Sequence, residues 1–466
     1  MLEVAVVGIT ETLARFIVET CYEHLPAKAI EQARRASLDT LGVMLAGSLE
    51  DCSRIAARMV REDGCNPVAT VVGQGFRGSA AGAALVNGIA GHALDYDDVN
   101  TSMRGHPSIP LLPAVLAAAE ETDAGGKAVI AAYVVGFEVQ ARIGRGLGPS
   151  HYPHGWHATS TLGSLGAAAA AAQLYGLDVE QTRMALGIAA SLAGGSRQNF
   201  GSMTKPLHPG HAAQSGLVAA RLARSGFTAD PEIVEAPLGF LNLFSPAGDA
   251  QPERVLEGIA SPFDIVEPGI SVKKYPCCFG THRALDAVLA LSAEQTIEAA
   301  DVKRVEVVVS RGSAAPLIHP RPRNGLEGKF SMQYCIAAAL LDGGVRLDSF
   351  LDDAVRRPQA QELLKRVILT EDGAGSGPAE GYADVTVLLS NGLRLNRRVD
   401  EPRGGPSQPL SWQELVAKFR DCAERVIGIR ATEQAIEQIA ALDKLPAIGA
   451  LTESLAGATA AASAGI

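Results

Sequence analysis

Aromatic residues make up only 5% of this chain and charged residues 20%, while 47% of it is hydrophobic. That argues against a disordered chain and against a β-sandwich, and a large alanine and glycine share suits closely packed helices instead. No excess of basic residues exists either: 41 Lys and Arg stand against 51 Asp and Glu, for a net charge of −10 and a pI near 5.6. Sequence-independent binding to nucleic acid or to anionic lipid is therefore not expected. An acidic substrate remains open, because a few lysines in one cleft reverse the local field. The seven cysteines contain no paired C-x-x-C, and the adjacent Cys277-Cys278 is poor geometry for a bridge, so neither a disulfide framework nor a cysteine metal site is expected. No apolar stretch reaches membrane-spanning length. Met1–Thr12 is partly apolar but has no basic region and no small-residue cleavage site, so no secretory leader is expected. The sum points to a protein of a reducing compartment, most simply the cytoplasm.

At 466 residues the chain exceeds one ordinary core, which predicts two domains or one domain with an insertion. Helical spacing runs from Thr12 to about Leu49, broken at Pro26. After a strand-like Val68–Val72, helices are predicted over 79–93, 109–122, 126–143, 158–175, 178–193, 209–225, 230–235 and 251–259. Near Ala260-Ser261-Pro262 the texture changes. Val305, Val307 and Val309 alternate with polar neighbours in a strand over Val302–Ser310; helices are expected over Gly328–Leu341 and Leu347–Lys365, and a strand over Arg366–Thr370. Asn391-Gly392 between two alternating runs predicts a hairpin. From Trp412 to Ile439 helical periodicity returns, so the tail is expected to pack back on the first helices. The fold class is mainly α with an α+β insertion: a helical domain from residues 1–268 and 401–466, and a smaller α/β lid over 269–400. Thr452–Ile466, rich in small residues, is expected to be poorly ordered.

Gly73-Gln74-Gly75-Phe76-Arg77-Gly78 matches a dinucleotide fingerprint by letter. The glycine- and alanine-rich Asn87–Leu94 that follows is no parallel strand, and a glycine turn into a packed helix is the favoured reading. His151, His154 and His157 recur every third residue and suggest a metal cluster, yet Pro153 and Gly155 break any helix that would make them converge. No metal and no cofactor are expected. His157 instead opens a helix, where the dipole keeps an imidazole neutral and fit to act as a base. Gly91-His92-Ala93-Leu94-Asp95-Tyr96-Asp97-Asp98 crowds acids ahead of Gly105-His106-Pro107-Ser108. Asp95 with His106 reads as an acid–base pair, while Asp97 and Asp98 read equally well as helix caps. Lys205, in Thr204-Lys205-Pro206-Leu207-His208, precedes a helix start and suits a carboxylate. Lys273, in Lys273-Lys274-Tyr275-Pro276, offers the same chemistry across a possible interdomain cleft.

Together with Phe330-Ser331-Met332-Gln333-Tyr334, these stretches resemble the MmgE/PrpD family, which includes 2-methylcitrate dehydratase, cis-aconitate decarboxylase and iminodisuccinate epimerase. The resemblance spans almost the whole chain. It implies a homodimer, no cofactor, and a pocket between helical domain and lid. It makes Asp95, His106, His157 and Lys205 active-site positions and Lys273 and Tyr334 lid positions facing them, with His208 beside Lys205 and Lys273 as a substrate contact. Two departures stand out: Val99 occupies the place of a threonine after the acidic cluster, and Cys278 that of a lid histidine. The expected chemistry is removal of a proton α to a carboxylate of a small di- or tricarboxylate. Lys205 and Lys273 would hold carboxylates, His157 or His106 move the proton, Asp95 orient its histidine, and Tyr334 donate a proton or hydrogen bond. The missing histidine puts an epimerase of a dicarboxylate such as iminodisuccinate first, a hydro-lyase of the methylcitrate type second and cis-aconitate decarboxylation third. An NAD(P)-dependent oxidoreductase and a non-catalytic organic-acid binder are the readings from other classes.

Overall fold

A helix that is apolar on every side must lie inside the protein, and Ala158–Leu174, with its six consecutive alanines, is buried over nearly its whole length. The computed structural model, which describes residues 8–375 and 381–457, builds the helical part around it. The elements there are α1 (Ile9–Glu19), α2 (Ala27–Gly47), α3 (Asp51–Asp63), strands β1 (Ala69–Val71) and β2 (Phe76–Gly78), α4 (Ala80–Ala93), α5 (Ser108–Glu121), α6 (Gly126–Gly146), α7 (Ala158–Leu174), α8 (Val179–Leu192) and α9 (Thr204–Arg224). Short helices α10 (Phe240–Phe244) and α11 (Glu253–Leu256) follow. The central helix α7 packs against α5, α6, α8 and α9, and α4 lies along α9. Glycine allows the latter approach: a Cβ at Gly88 would lie 2.6 Å from Gly210 Cα.

The sheet-bearing part comprises α12 (His282–Glu294), β3 (Val302–Arg311), α13 (Gly325–Gly328), α14 (Met332–Asp342), α15 (Asp352–Arg356), α16 (Pro358–Leu363), β4 (Val367–Gly375), β5 (Ala383–Leu389) and β6 (Arg394–Val399). Its strands run in the order β4-β3-β5-β6, with β3 parallel to β4 and antiparallel to β5. The valines of β3 alternate into a core shared with α12 and α14. The hairpin at Asn391-Gly392 forms, with Gly392 at φ 89°. The tail, α17 (Trp412–Ala440) and α18 (Gly449–Leu455), returns to the helical part: Leu415, Phe419 and Ile436 share one core with Leu38, Leu41 and Leu45 of α2. The protein is thus mainly α with a smaller sheet-containing part, and both chain ends contribute to the helical one. Among the described residues no helix is long and apolar enough to cross a membrane.

Several expectations need correction. Residues 230–235 form turns and only Glu253–Leu256 of 251–259 is helical, since Pro231, Pro237 and Pro252 punctuate the segment. The single helix expected over Leu347–Lys365 is interrupted twice, at Leu351 and again just before Pro358. The tail helix is kinked at Gly428, which takes φ 75°. Gly73 and Gly75, both at φ 68°, turn a hairpin between antiparallel β1 and β2. A dinucleotide site needs a parallel βαβ unit, so this glycine run supplies no phosphate loop. Of the stretch expected to be poorly ordered, Thr452–Leu455 ends α18, and 458–466 lies outside the described residues.

Candidate active site

Three helices of the helical part begin at one cavity. His106 stands two residues before α5, His157 immediately before α7, and Lys205 in the first turn of α9. Their positive ends face the same space, which favours an anion there. Segment 271–278 closes another side: Val99 and Ser271 pair through reciprocal N–H···O bonds of 2.9 Å, bringing Lys273 and Cys278 to the cavity wall. Arg104, Tyr152, Phe200 and Phe330 complete the working surface.

Asp95 is the hub. Its backbone takes a left-handed φ of 51°, a strained conformation for a non-glycine residue, and Arg104 at φ 50° shares it. Lys205 Nζ donates to Asp95 Oδ1 at 2.5 Å, while Lys273 Nζ lies 3.2 Å from Oδ2 and donates to the Asp95 carbonyl at 2.7 Å. Burial alone pushes the Asp95 carboxyl up, but the two ammonium groups outweigh it and hold it well below the carboxylate range. Behind it, His92 Nδ1 meets both oxygens of Asp97 at 2.9 Å, and His92 Nε2 lies 2.8 Å from Lys205 Nζ. A carboxylate only accepts, so His92 donates from Nδ1 and its bare Nε2 accepts from Lys205. Burial, then Lys205 among the charges, hold His92 neutral, down near 3. An ammonium has three donors. With the partners just named, Lys205 and Lys273 each keep one for a substrate carboxylate.

His106 sits between two acids, Nδ1 3.2 Å from Asp97 Oδ2 and Nε2 3.9 Å from Asp95 Oδ1. His157 is buried, with Nδ1 3.0 Å from His208 Nδ1. Burial first, then the charge on Lys205, keep His157 well below its usual range, and the same causes bring His208 to about 4. Cys278, where the resemblance leads one to expect a histidine, is a buried thiol pushed up to about 12 by burial. It is a poor proton carrier at neutral pH.

The structure brings Asp95, His106, His157, Lys205 and Lys273 to one cavity. It does not bring Tyr334 there. That side chain is fully buried in the sheet-bearing part, its hydroxyl donating to the Ser349 carbonyl and its ring against Phe350. Phe330, four residues earlier, lines the cavity instead. Nor does His208 form part of the cavity lining; it backs His157 from the second turn of α9. Asp97 and Asp98, alike in sequence, divide: Asp98 accepts from the Ser108 N–H and hydroxyl at the start of α5, as a cap does, and Asp97 serves the histidines. His151 is tied to Phe244 O and Thr161 Oγ1 while His154 is exposed, so the three spaced histidines do not converge. Two buried lysines escaped the sequence reading. Lys329 Nζ donates to the carbonyls of Leu94 and Pro276, and burial lowers it to about 8. Lys418 of α17 pairs with Asp39 at 2.6 Å and donates to the carbonyls of Tyr96 and Lys273, both at 2.9 Å. No local pattern marks either; only the adjacency of Lys329 to Phe330 offered a signal.

Among the described residues, His92, Asp95, Asp97 and His106 have donor atoms close enough together to hold a metal ion. Lys205 already engages two of them, filling with an ammonium the place between Asp95 Oδ1 and His92 Nε2.

Comparison with known proteins identifies the family. The MmgE/PrpD N-terminal domain matches residues 11–253 and the MmgE/PrpD C-terminal domain residues 275–444. The chain belongs to the MmgE/PrpD family, and it is an enzyme of that lyase and isomerase group. It is 33% identical to the cis-aconitate decarboxylase of Homo sapiens over 97% of this chain and 95% of that protein. Identity to the enzyme of the same name is 31% in Mus musculus, over 97% and 94%, and 26% in Aspergillus terreus, over 96% of each.

Proposed function

We propose that the protein is a lyase that decarboxylates a small unsaturated tricarboxylate of the cis-aconitate kind. The observation that carries the reading is the Lys205–Asp95–Lys273 clamp, with one donor left on each lysine, beside the imidazoles of His106 and His157. Near full-length likeness to cis-aconitate decarboxylases supports this choice of reaction over the epimerase favoured by the sequence alone. In such a substrate a proton is delivered to the unsaturated carbon next to one carboxylate. The double bond shifts, and the electron pair it needs comes from the bond that breaks as CO2 leaves the other end. Fixed cations stabilise the charge that develops, and they do so best where water is scarce. Lys205 and Lys273 hold carboxylates, Arg104 offers a third cation at the wall, and His157 or His106 gives the proton. A homodimer goes with the family resemblance, and light scattering on the purified chain checks it.

Epimerisation of a dicarboxylate such as iminodisuccinate is the second reading. Two imidazoles at one cavity and a neutral thiol at Cys278 favour it. Incubation of the purified protein with cis-aconitate, iminodisuccinate and 2-methylcitrate in deuterated water separates the cases. CO2 release from cis-aconitate, with one deuterium in the product, is expected. No CO2, but deuterium uptake with inversion at iminodisuccinate, would overturn the decarboxylase in favour of the epimerase. His157→Ala is expected to abolish turnover with the fold intact, read by activity and circular dichroism; full activity would remove His157 from the chemistry.

A further inference from the structure

We infer that His208 is a positioning residue that, with His157, forms a two-histidine proton relay from solvent to the cavity. The facing atoms are both Nδ1, 3.0 Å apart. Two bare lone pairs, or two N–H groups, would repel at that distance. One proton therefore lies between the rings, and the tautomers are complementary. If it belongs to His208, His157 carries its other proton on Nε2 and presents a donor to the cavity. If it belongs to His157, Nε2 is bare and presents a base.

Charge makes this arrangement matter. His157 is buried at the positive end of α7 near Lys205, a setting hostile to an imidazolium. Acting alone, it would have to become that cation before donating. Acting with His208, it need not. As Nε2–H passes to the substrate carbon, His208 Nδ1–H passes to His157 Nδ1, and His208 Nε2 takes a proton from the solvent side. Both rings are neutral before and after, and one proton has moved inward. That balances a decarboxylation, in which the bond to CO2 breaks with its electron pair retained by the organic fragment and one proton is consumed. The reverse shift removes a proton from a substrate. After product release the pair resets by that same reverse shift, His157 Nε2 taking a proton from bulk water that has entered the cavity and His208 Nε2 releasing one to solvent, so that each full cycle consumes one proton from bulk water. The outer terminus is at hand: His211 lies one turn from His208 on α9, is exposed, and is close enough to oppose positive charge on His208. Ser160 Oγ donates to the His208 carbonyl at 3.2 Å and steadies that turn against α7.

The inference rests on the proposed proton chemistry, and its test has one arm that does not. In His208→Asn the amide stands where Nδ1 stood and can still bond His157, but it cannot pass a proton through. With cis-aconitate as substrate, kcat is expected to fall on the order of a hundredfold, as for loss of general acid–base help, with KM within about twofold. Added 4-methylimidazole is expected to restore part of the rate in His208→Ala. Full kcat in His208→Asn would show that the ring only orients His157 and would overturn the relay, as would a rise in KM with no rescue. Should the alanine variant not fold, the asparagine variant decides. The second arm is nitrogen-15 NMR of histidine-labelled substrate-free protein. One shared Nδ1 proton between complementary tautomers is expected; two rings both protonated on Nε2 alone, or a cationic pair, overturn the relay whatever reaction the enzyme performs. If the NMR holds and no acid is turned over, the function has failed and the relay has not.

Discussion

Asp97 and Asp98 follow one another in the chain and are both fully buried, yet their surroundings drive their protonation apart. Burial pushes both up; for Asp97, His92 and His106 reverse the effect, whereas Asp98 has only Ser108 to offset burial and the nearby Asp39 and Asp97, and stands at about 8. The sign for stability follows. Between the unfolded value near 3.8 and about 8, the folded protein holds a proton on Asp98 that the unfolded chain has lost, so Asp98 makes stability fall as pH rises through that window. Asp95 acts the other way. Its depressed carboxyl contributes stability that is present above the unfolded value and lost as pH falls towards the folded one. Asp98→Asn mimics the protonated acid: its amide oxygen accepts from the Ser108 N–H, and its NH2 donates to the Ser108 hydroxyl as the acid's O–H would, leaving that hydroxyl to donate to Tyr133. Denaturant midpoints measured from pH 4 to 8 are expected to decline less in this variant, with a gain on the order of a few kcal/mol at the upper end. An unchanged pH slope would mean that Asp98 is ionised in the folded protein. The crowding of acids was legible in the sequence, but their division was not. Asp97 finds His92 five residues back and Asp98 finds Ser108 ten residues on, and only the fold makes those neighbours.

Helices α4 and α9 carry His92 and Lys205, whose 2.8 Å contact depends on how closely the two axes approach. A Cβ at Gly88 would meet Gly210 Cα at 2.6 Å, and one at Gly210 would meet Leu85 O at 2.4 Å. Both obstacles are backbone, so neither can swing aside. Gly88→Ala must part the helices one turn from His92 and draw Lys205 away from it. The cost expected of such overpacking is about 1–3 kcal/mol, read as a lower Tm, together with a loss of turnover larger than the loss of folded protein. Gly449→Ala, where nothing lies within 4 Å, is the control expected to change neither. Turnover that follows the folded fraction alone would show that this spacing does not tune the site. The helix α4 was placed within a residue, 79–93 against Ala80–Ala93, with Ser79 its N-cap. The start of α9 was set five residues late, at Pro209 instead of Thr204. Pro206 lies in the first turn, where proline lacks only an N–H that would be unpaired in any case, and Pro209 is tolerated one turn further inside; that misplacement hid His208 as a helical neighbour of His157.

Across the whole molecule, Lys418 joins segments that the sequence holds far apart. From α17 it pairs with Asp39 of α2 and donates to the carbonyls of Tyr96 and Lys273, fastening the residues on either side of the Asp95 clamp to the core between the two chain ends. The return of the tail was readable from its helical periodicity after Asp400. Its lysine was not, since a single lysine on an amphipathic helix reads as solvated, and three of its partners lie more than a hundred residues away. Lys418→Met keeps the stem and removes the charge. It leaves the Asp39 carboxyl buried without a cation and both carbonyls without a donor, a loss of about 3–5 kcal/mol by the measure of broken buried pairs. Asp39→Asn added to it removes the stranded acid, so the double variant is expected to recover part of that stability. Substrate affinity should behave differently, because neither variant restores the tie on Tyr96 and Lys273. The expected pattern is a denaturant midpoint that partly recovers in the double variant while KM stays raised in both. A KM that recovers together with the midpoint would mean that Lys418 serves stability alone, and that the clamp around Asp95 holds its geometry without it.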